Sequence, residues 1–459
     1  MSKSIKLSKG FDIKLAGKAE KKIANIEQPE TFALKPTDFV GIYMPKVVVQ
    51  VGDTVKAGSP LFYDKKMEKV QYCAPVSGEV VEVKRGKKRK LLEIKVLADK
   101  QVEYEEFPKY SVSDLANVSR EDFTGVMLKS GVWPNIIQRP YGVIANPEDT
   151  PQAIFISAFD TNPLAPDYDF IFKGQEKYFQ AGVDVLRKFT SGSIHVNVNG
   201  KEELSQIFAH AKDVVVNKFS GPHPAGNVGV QIHHLQPLNA EDLVWTLTPY
   251  GVIQIGKLFL EGIYDATKVI AFAGSEVKNP QYYQTYSGAC VNKYVESNTK
   301  STEGIRVVSG NVLTGEKIKK DGYLGFYDHL VTVLPEGDVP RFVLSDGWLA
   351  PTFKRLSFHR AFGLFSFLNS GSKEYVLDTN MNGEERPFVM SGAFEKVVPM
   401  DLYPTYLLKA ILAEDFDEME ALGIYEVIEE DLALCEFIDV SKHDIQSLLR
   451  EGLDMMRLG

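Results

Sequence analysis

The chain is predicted to be a multidomain protein of α/β plus β class: an N-terminal β domain, an α/β domain, a small glycine-punctuated module and a helical tail. Three observations predict this order. Residues 47–96 set short β-branched runs between turn signals, residues 151–275 alternate strand-like and helix-like patterns, and residues 402–458 repeat apolar positions at helical spacing. A length of 459 residues fits about three or four domains.

The β domain is read from its turns. Val51-Gly52-Asp53, Ala57-Gly58-Ser59-Pro60 and Pro75-Val76-Ser77-Gly78 each pair glycine with a turn-forming residue, so the text between them forms hairpins and not helix. The two halves resemble the flattened barrel of biotinyl and lipoyl carrier domains, a barrel-sandwich hybrid. Such carriers hold their cofactor on a lysine at a hairpin tip. Counting back from Ala74-Pro75, that position falls on Met67, with Lys66 beside it, so the fold is expected without the attachment chemistry. The run Lys84-Arg85-Gly86-Lys87-Lys88-Arg89-Lys90 falls where the barrel needs an exposed hairpin. It reads either as a solvated turn or as a docking surface for an acidic partner or anionic lipid.

Ser113 to Lys129 is expected to be helical with Ser113 as N-cap. Ala153–Ala158, Ile194–Val198 and Val214–Val216 read as strands, and Gln175–Phe189 and Glu202–Ala211 as helices. That rhythm predicts βαβ units and a Rossmann-like parallel sheet. Val230–Leu235, Gly251–Ile255 and Lys268–Ala273 also read as strands. From about 276 to 330 short glycine-punctuated pieces surround one helix near Ala289–Glu296. The tail divides into helices at Tyr406–Ala413, Asp415–Leu422, Glu429–Cys435 and Asp444–Met456, with Ser441 as a cap before the last. The expected boundaries are 1–106 for the N-terminal segment and barrel, 107–258 for the α/β domain, 259–330 for the small module, 331–390 for a connecting region and 391–459 for the helical domain.

Composition narrows the function. A formal charge of −9 argues against a duplex nucleic-acid binder. Cys73, Cys290 and Cys435 are too far apart for a disulfide framework or a metal motif, and read as buried thiols in a reducing compartment. The first twenty residues lack the apolar core of a signal peptide. No apolar run approaches the ~20 residues that span a bilayer, the most apolar being Phe362–Leu368.

Several segments together carry a family resemblance over the whole chain: Asp160-Thr161-Asn162-Pro163-Leu164-Ala165, Gly221-Pro222-His223-Pro224-Ala225-Gly226, Val308 to Gly315, and Glu430-Asp431-Leu432-Ala433-Leu434-Cys435. With the domain order, they closely resemble the NqrA subunits of sodium-translocating NADH:quinone oxidoreductases. More distantly they resemble the RnfC-type component of the Rnf complex and the flavin- and NADH-binding subunit of complex I. The resemblance implies that the small module is an SLBB-like β-grasp domain. It also implies a peripheral subunit on the cytoplasmic face of the bacterial inner membrane. Its partners would be the other subunits of the complex, chiefly a membrane-embedded one, in a translocase that oxidises NADH, reduces quinone and exports sodium.

The distant relatives place a glycine-rich loop where flavin and nucleotide phosphate approach the backbone. Here that place holds Ser130-Gly131-Val132-Trp133-Pro134-Asn135-Ile136, continuing to Arg139-Pro140-Tyr141-Gly142, whose bulk obstructs a phosphate cradle. Their Glu-Cys-Glu-Pro turn is here Asp160-Thr161-Asn162-Pro163. Their clustered cysteines are reduced to Cys435, with Asp439 four residues on, and one thiolate does not hold an iron–sulfur cluster. The chain is therefore expected to hold no tightly bound cofactor, with NADH, flavins and iron–sulfur centres in other subunits.

Quinone is the remaining ligand. Its candidate contacts are Trp133, Arg139, Pro140 and Tyr141, which could flank a planar ring and bond its carbonyl, and His223, in a glycine/proline loop at the carboxyl end of the sheet. A rigid turn at His223 and a loop that only fills space at Trp133 are the alternatives. Asp160, Asn162 and Asp169 read as acids, carbonyl-orienting groups or turn formers. His233 and His234 read as packing residues, since no metal-ligand spacing surrounds them. Two other functions stay open: an NADH-oxidising flavoprotein like the complex I relative, and a purely structural assembly scaffold.

Overall fold

The computed structural model describes every residue except 1, 204, 343, 346–349, 351–355, 357, 359–367 and 369–370. The apolar run at 362–368 therefore lies almost entirely outside the described residues.

The first two strands do not stay with the barrel. β1 (Ser4–Lys6) joins the α/β sheet and β2 (Ile23–Ala24) joins the sheet of the small module. The barrel follows as β3 (Thr31–Leu34), β4 (Pro45–Val47), β5 (Thr54–Val55), β6 (Pro60–Asp64), β7 (Met67–Cys73), β8 (Gly78–Arg85) and β9 (Leu91–Ala98). They form two sheets, β3-β9-β8-β5 and β4-β6-β7. Apolar side chains alternate inward, and Leu61, Phe62, Val70, Val80, Ile94 and Val96 are fully buried between the sheets.

The hairpin tip corrects one expectation. The β6–β7 pairing shifts register before Phe62 and again after Tyr63, so Asp64 faces Met67 and the two turn residues are Lys65 and Lys66. Lysines, not Met67, occupy the tip. A strict count along the strand misses this because the bulges change the residue count. Buried Asp64 fixes the turn by accepting from the Met44 and Lys66 amides, and the Lys66 ammonium lies 4.8 Å from the Tyr43 ring centroid.

The α/β domain contains α1 (Arg120–Ser130), β10 (Ile137–Arg139), β11 (Val143–Ile144), β12 (Ala153–Ser157), α2 (Tyr168–Ile171), α3 (Glu176–Leu186), β13 (Ile194–Asn199), α4 (Gln206–Ala209), β14 (Val215–Ser220), α5 (Val228–Leu235), β15 (Val244–Leu247) and α6 (Pro249–Glu261). The sheet order is β1-β14-β13-β12-β15-β10-β11, with β1, β14, β13, β12 and β15 parallel. This is the Rossmann-like arrangement, in which the chain reverses its winding beside the first core strand. Helices α3 and α6 share one face. Gly182 and Gly256 let them touch, since a Cβ at either would fall within about 2 Å of a carbonyl oxygen of the other helix. Helix α5 covers the opposite face.

Four local expectations are corrected. Gly251–Ile255 lies within helix α6: Thr248 caps it by accepting from the Gly251 amide, Pro249 opens it, and Gly262 ends it in left-handed conformation. Val230–Leu235 is helix α5. Both read as strands because their β-branched residues are dense, yet tertiary burial on the sheet overrides that preference. The helix expected from Ser113 starts at Arg120 with Ser119 as its cap, and the one expected over 202–211 shrinks to the single turn α4.

The small module comprises β16 (Thr267–Ala273), β17 (Gln281–Tyr286), α7 (Asn292–Asn298), β18 (Ile305–Ser309), β19 (Glu316–Ile318) and β20 (Leu330–Pro335), in sheet order β19-β18-β20-β16-β17-β2. Lys268 on β16 is buried. Its ammonium donates to the Phe326 and Asp328 carbonyls and faces the Tyr250 ring at 5.0 Å. Burial lowers its pKa to about 8, opposed by Asp328 and Asp38. Between pH 8 and about 10 the unfolded chain binds a proton here that the folded chain releases, so this group makes stability rise with pH. Lys268→Met should remove that slope, worth about 2–3 kcal/mol across the window. Denaturant melts of both proteins at each pH check this, because buried tyrosines and cysteines titrate alike in the two.

The tail follows as α8 (Phe394–Val397), α9 (Pro404–Leu412), α10 (Phe416–Ala421), α11 (Glu429–Ile438) and α12 (Ile445–Leu458). The cap of α12 is Asp444, accepting from Ser447. Ser441 instead donates to the Pro387 carbonyl. No helix among the described residues is long and apolar enough to cross a membrane.

Candidate functional site

The carboxyl ends of β12, β13 and β14 open onto a cleft of about 370 Å³. Its wall is the loop after β12. Asp160 accepts from both the Asn162 amide and its side chain, an Asx turn that bends the chain outward. Asp167 then caps α2, accepting from Phe170, and pairs with Lys21 at 2.5 Å. Asp12, Asp160, Asp167, Asp169, Glu202 and Glu203 line the cleft against only Lys18 and Lys201. Burial raises the pKa of Asp160 and of Asp169. Such a rim repels phosphate, and the N-terminus of α2, which would receive an anion in a nucleotide-binding domain, is already closed by Asp167.

Behind this wall lies the loop after β14. Thr161 Oγ1 accepts from the Gly226 amide at 3.0 Å and lies 3.1 Å from His223 Nδ1. The His223 amide donates to Asp12, and Ser157 Oγ donates to the Gly226 carbonyl at 2.8 Å. Burial lowers the His223 pKa to about 4, so the ring is neutral at physiological pH. Its Nε2 is buried with no hydrogen-bond partner among the described residues. Thr161 holds this loop from 65 residues away, and Gln231 ties the Ala225 carbonyl to Ser157, 74 residues off, so neither role is visible in the sequence.

The other four candidates lie elsewhere and are not brought together. Trp133 is fully buried, donates its indole N–H to the Ala145 carbonyl at 2.8 Å, and packs edge-on against Trp245 and Phe189. Val132 and Ile136 are equally buried, and Gly131 abuts Cys73 of the barrel. The segment from Gly131 to Ile136 is thus packed with side chains of this chain. Arg139 pairs with Val244 across β10 and β15, so it points to the face covered by α5, away from Trp245 and hence from Trp133. It is 1 % exposed, with guanidinium nitrogens 3.1 Å from both Asp431 and Glu430. Pro140 follows a cis peptide. Tyr141 adopts φ 80°, meets Tyr425 edge-on, and offers its carbonyl to Arg450.

These residues build a junction between the α/β domain and the tail. Asp431 is the third residue of α11 and accepts from the Ile428 amide at the helix start. Gly229 opens α5 so close to Asp431 that a Cβ would overlap its carboxylate. Burial, together with the neighbouring Asp431 charge, raises the pKa of Glu430, opposed by Arg139. Asn227 donates to the Glu430 carbonyl. His233 accepts from the Asp401 amide at Nε2, so its Nδ1 carries the proton given to Glu426 at 2.7 Å. His234 Nε2 donates to the Pro399 carbonyl. Both histidines clamp the tail, and no group of three metal-ligating side chains occurs among the described residues. Cys435 is buried, and burial pushes its thiol pKa well up.

Three family models match the chain: the NqrA N-terminal barrel-sandwich hybrid domain over residues 5–99, the NqrA second alpha/beta domain over 118–264, and the NQRA C-terminal domain over 269–320. The chain is 38% identical to the NqrA subunit of the Na(+)-translocating NADH-quinone reductase of Serratia proteamaculans, over 98% of both chains. It is 37% identical to that of Vibrio parahaemolyticus over 98% of each, and 34% identical to that of Rhodopirellula baltica over 98% of this chain and 97% of the relative. Among solved structures, an NAD+-reducing [NiFe]-hydrogenase aligns with 76% of this chain and 63% of its own at 11% identity. Its TM-score of 0.41 is too low to carry an argument.

Proposed function

The chain belongs to the NqrA family, the first-lettered subunits of the Na(+)-translocating NADH-quinone reductase, and from that membership we propose that it serves the complex as a peripheral subunit without redox chemistry of its own. NADH oxidation and electron transfer through flavins and iron–sulfur centres then belong to other subunits. The observation that carries this reading is the filled loop: Val132, Trp133 and Ile136, all fully buried, stand where a nucleotide loop would need open backbone. The acidic rim of the cleft supports it, as does the single thiol of the tail. The subunit docks at the cytoplasmic face of the inner membrane on a membrane-embedded partner.

A quinone contact is the second part of the proposal, and the unpaired Nε2 of His223 favours it. A neutral imidazole donates one hydrogen bond to a quinone carbonyl without a charge to desolvate. Because that nitrogen is buried, the 221–226 loop must part from the segment around Gly10 and Asp12 for a ring to reach it. Titration of the isolated chain with a short-chain benzoquinone, followed by tryptophan fluorescence, tests this. Saturable binding weakened about tenfold by His223→Ala is the expected result. Absence of saturable binding leaves assembly as the sole role.

A further inference from the structure

The β8–β9 hairpin carries its charge in an uneven way. Along the strands every lysine is neutralised: Lys84 pairs with Glu93 at 3.2 Å, and Lys95 with Glu82 at 2.6 Å. At the tip the balance ends. Arg85, Lys87, Lys88, Arg89 and Lys90 are all exposed, and none has a carboxylate partner among the described residues. The tip is closed by a tight turn in which the Gly86 amide donates to the Lys90 carbonyl and Arg85 donates to the Arg89 carbonyl. Within it Lys88 and Arg89 take φ values of 53° and 62°. That is left-handed backbone which glycine adopts freely and a side chain adopts at a cost. Strained positions are thus filled with cations, in a chain whose formal charge is −9.

We propose that this tip docks on anionic lipid headgroups, anchoring the subunit electrostatically beside its protein contacts. Five adjacent cations match the size of cluster that a negatively charged membrane surface retains. Three of the four outermost are lysines, compact hydrated charges suited to a diffuse anionic surface, whereas recognition of single carboxylates favours the planar fork of arginine. None of the residues from Arg85 to Lys90 is apolar, so the tip offers charge and not a hydrophobic anchor for a protein face. The proposal goes beyond the family's activity and does not rest on quinone binding at His223.

Flotation of the full chain with vesicles tests it. One set is phosphatidylcholine alone and the other contains about one-third phosphatidylglycerol. The chain should float only with the anionic set, and about 0.5 M salt should release it. Replacing Lys87, Lys88, Arg89 and Lys90 together by Glu should reduce the bound fraction at least about tenfold. Lys319→Glu with Lys320→Glu, two exposed lysines on another turn, should leave it unchanged. The swap Lys88→Arg with Arg89→Lys preserves charge and should float like the parent. Equal partition of the parent into both vesicle sets overturns the proposal, as does undiminished flotation of the four-fold Glu variant. Tip-dependent binding to detergent-solubilised partner subunits without any vesicle binding also overturns it, and assigns the tip to an acidic protein surface.

Discussion

Arg139→Met is expected to destabilise the isolated chain by about 3–5 kcal/mol, because it leaves the buried Asp431 carboxylate without its cation. The guanidinium is 1 % exposed and joins the edge of the α/β sheet to the first turn of α11, so its loss uncouples the tail as well as lowering stability. The double variant Arg139→Met, Asp431→Leu removes the buried pair and should recover part of the loss, since a well-packed apolar pair often equals a buried ion pair. Glu430 without its cation and the Ile428 amide without its acceptor keep the remainder. Urea melts supply the stabilities, and limited proteolysis shows whether the tail is released first. If Arg139 instead met a quinone carbonyl, the single variant would melt like the parent and only quinone reduction would fall.

Trp133→Ala should cost a similar amount, about 3–5 kcal/mol, from lost burial and the cavity that remains beside Trp245 and Phe189. It also abandons the Ala145 carbonyl, the acceptor of the indole N–H. A ring-stacking tryptophan at a ligand site would behave otherwise, with an intact melting transition and a weakened quinone affinity. The two variants together separate a core-filling loop from a binding loop.

Much of this architecture is legible in the sequence, and the reasons are local. The barrel strands, β12 to β14 and the tail helices follow hydrophobic periods that survive without tertiary information. Helices α5 and α6 do not, because Val230, Ile232, Val252, Ile253 and Ile255 spell a strand until the cap Thr248-Pro249 is weighed against them. The hairpin tip at Lys65–Lys66 is hidden by bulges that no residue count reveals. At the site, the nature of the candidates is legible but their grouping is not. Arg139 meets Asp431 across 292 positions of sequence, and one step of strand alternation sends it to the opposite face from Trp133. Of the five quinone candidates, two keep a buried nitrogen without a hydrogen-bond partner among the described residues, His223 at Nε2 and Arg139 at Nε. The rest of the Arg139 guanidinium is held by Asp431 and Glu430. Glu430 and Asp431 carry a signal of their own, an acidic first turn with Asp431 three residues after Ile428, which marks a helix start.

The central claim is that this chain is a peripheral subunit whose redox chemistry resides in its partners. Affinity purification of the tagged chain from membranes in mild detergent tests it most directly, with the absorption spectrum recorded before and after the partners are stripped away. The account predicts that membrane-embedded subunits co-purify in fixed ratio, and that flavin and iron absorbance leaves with them. A chain recovered alone, or one that keeps stoichiometric flavin or iron once isolated, would contradict it.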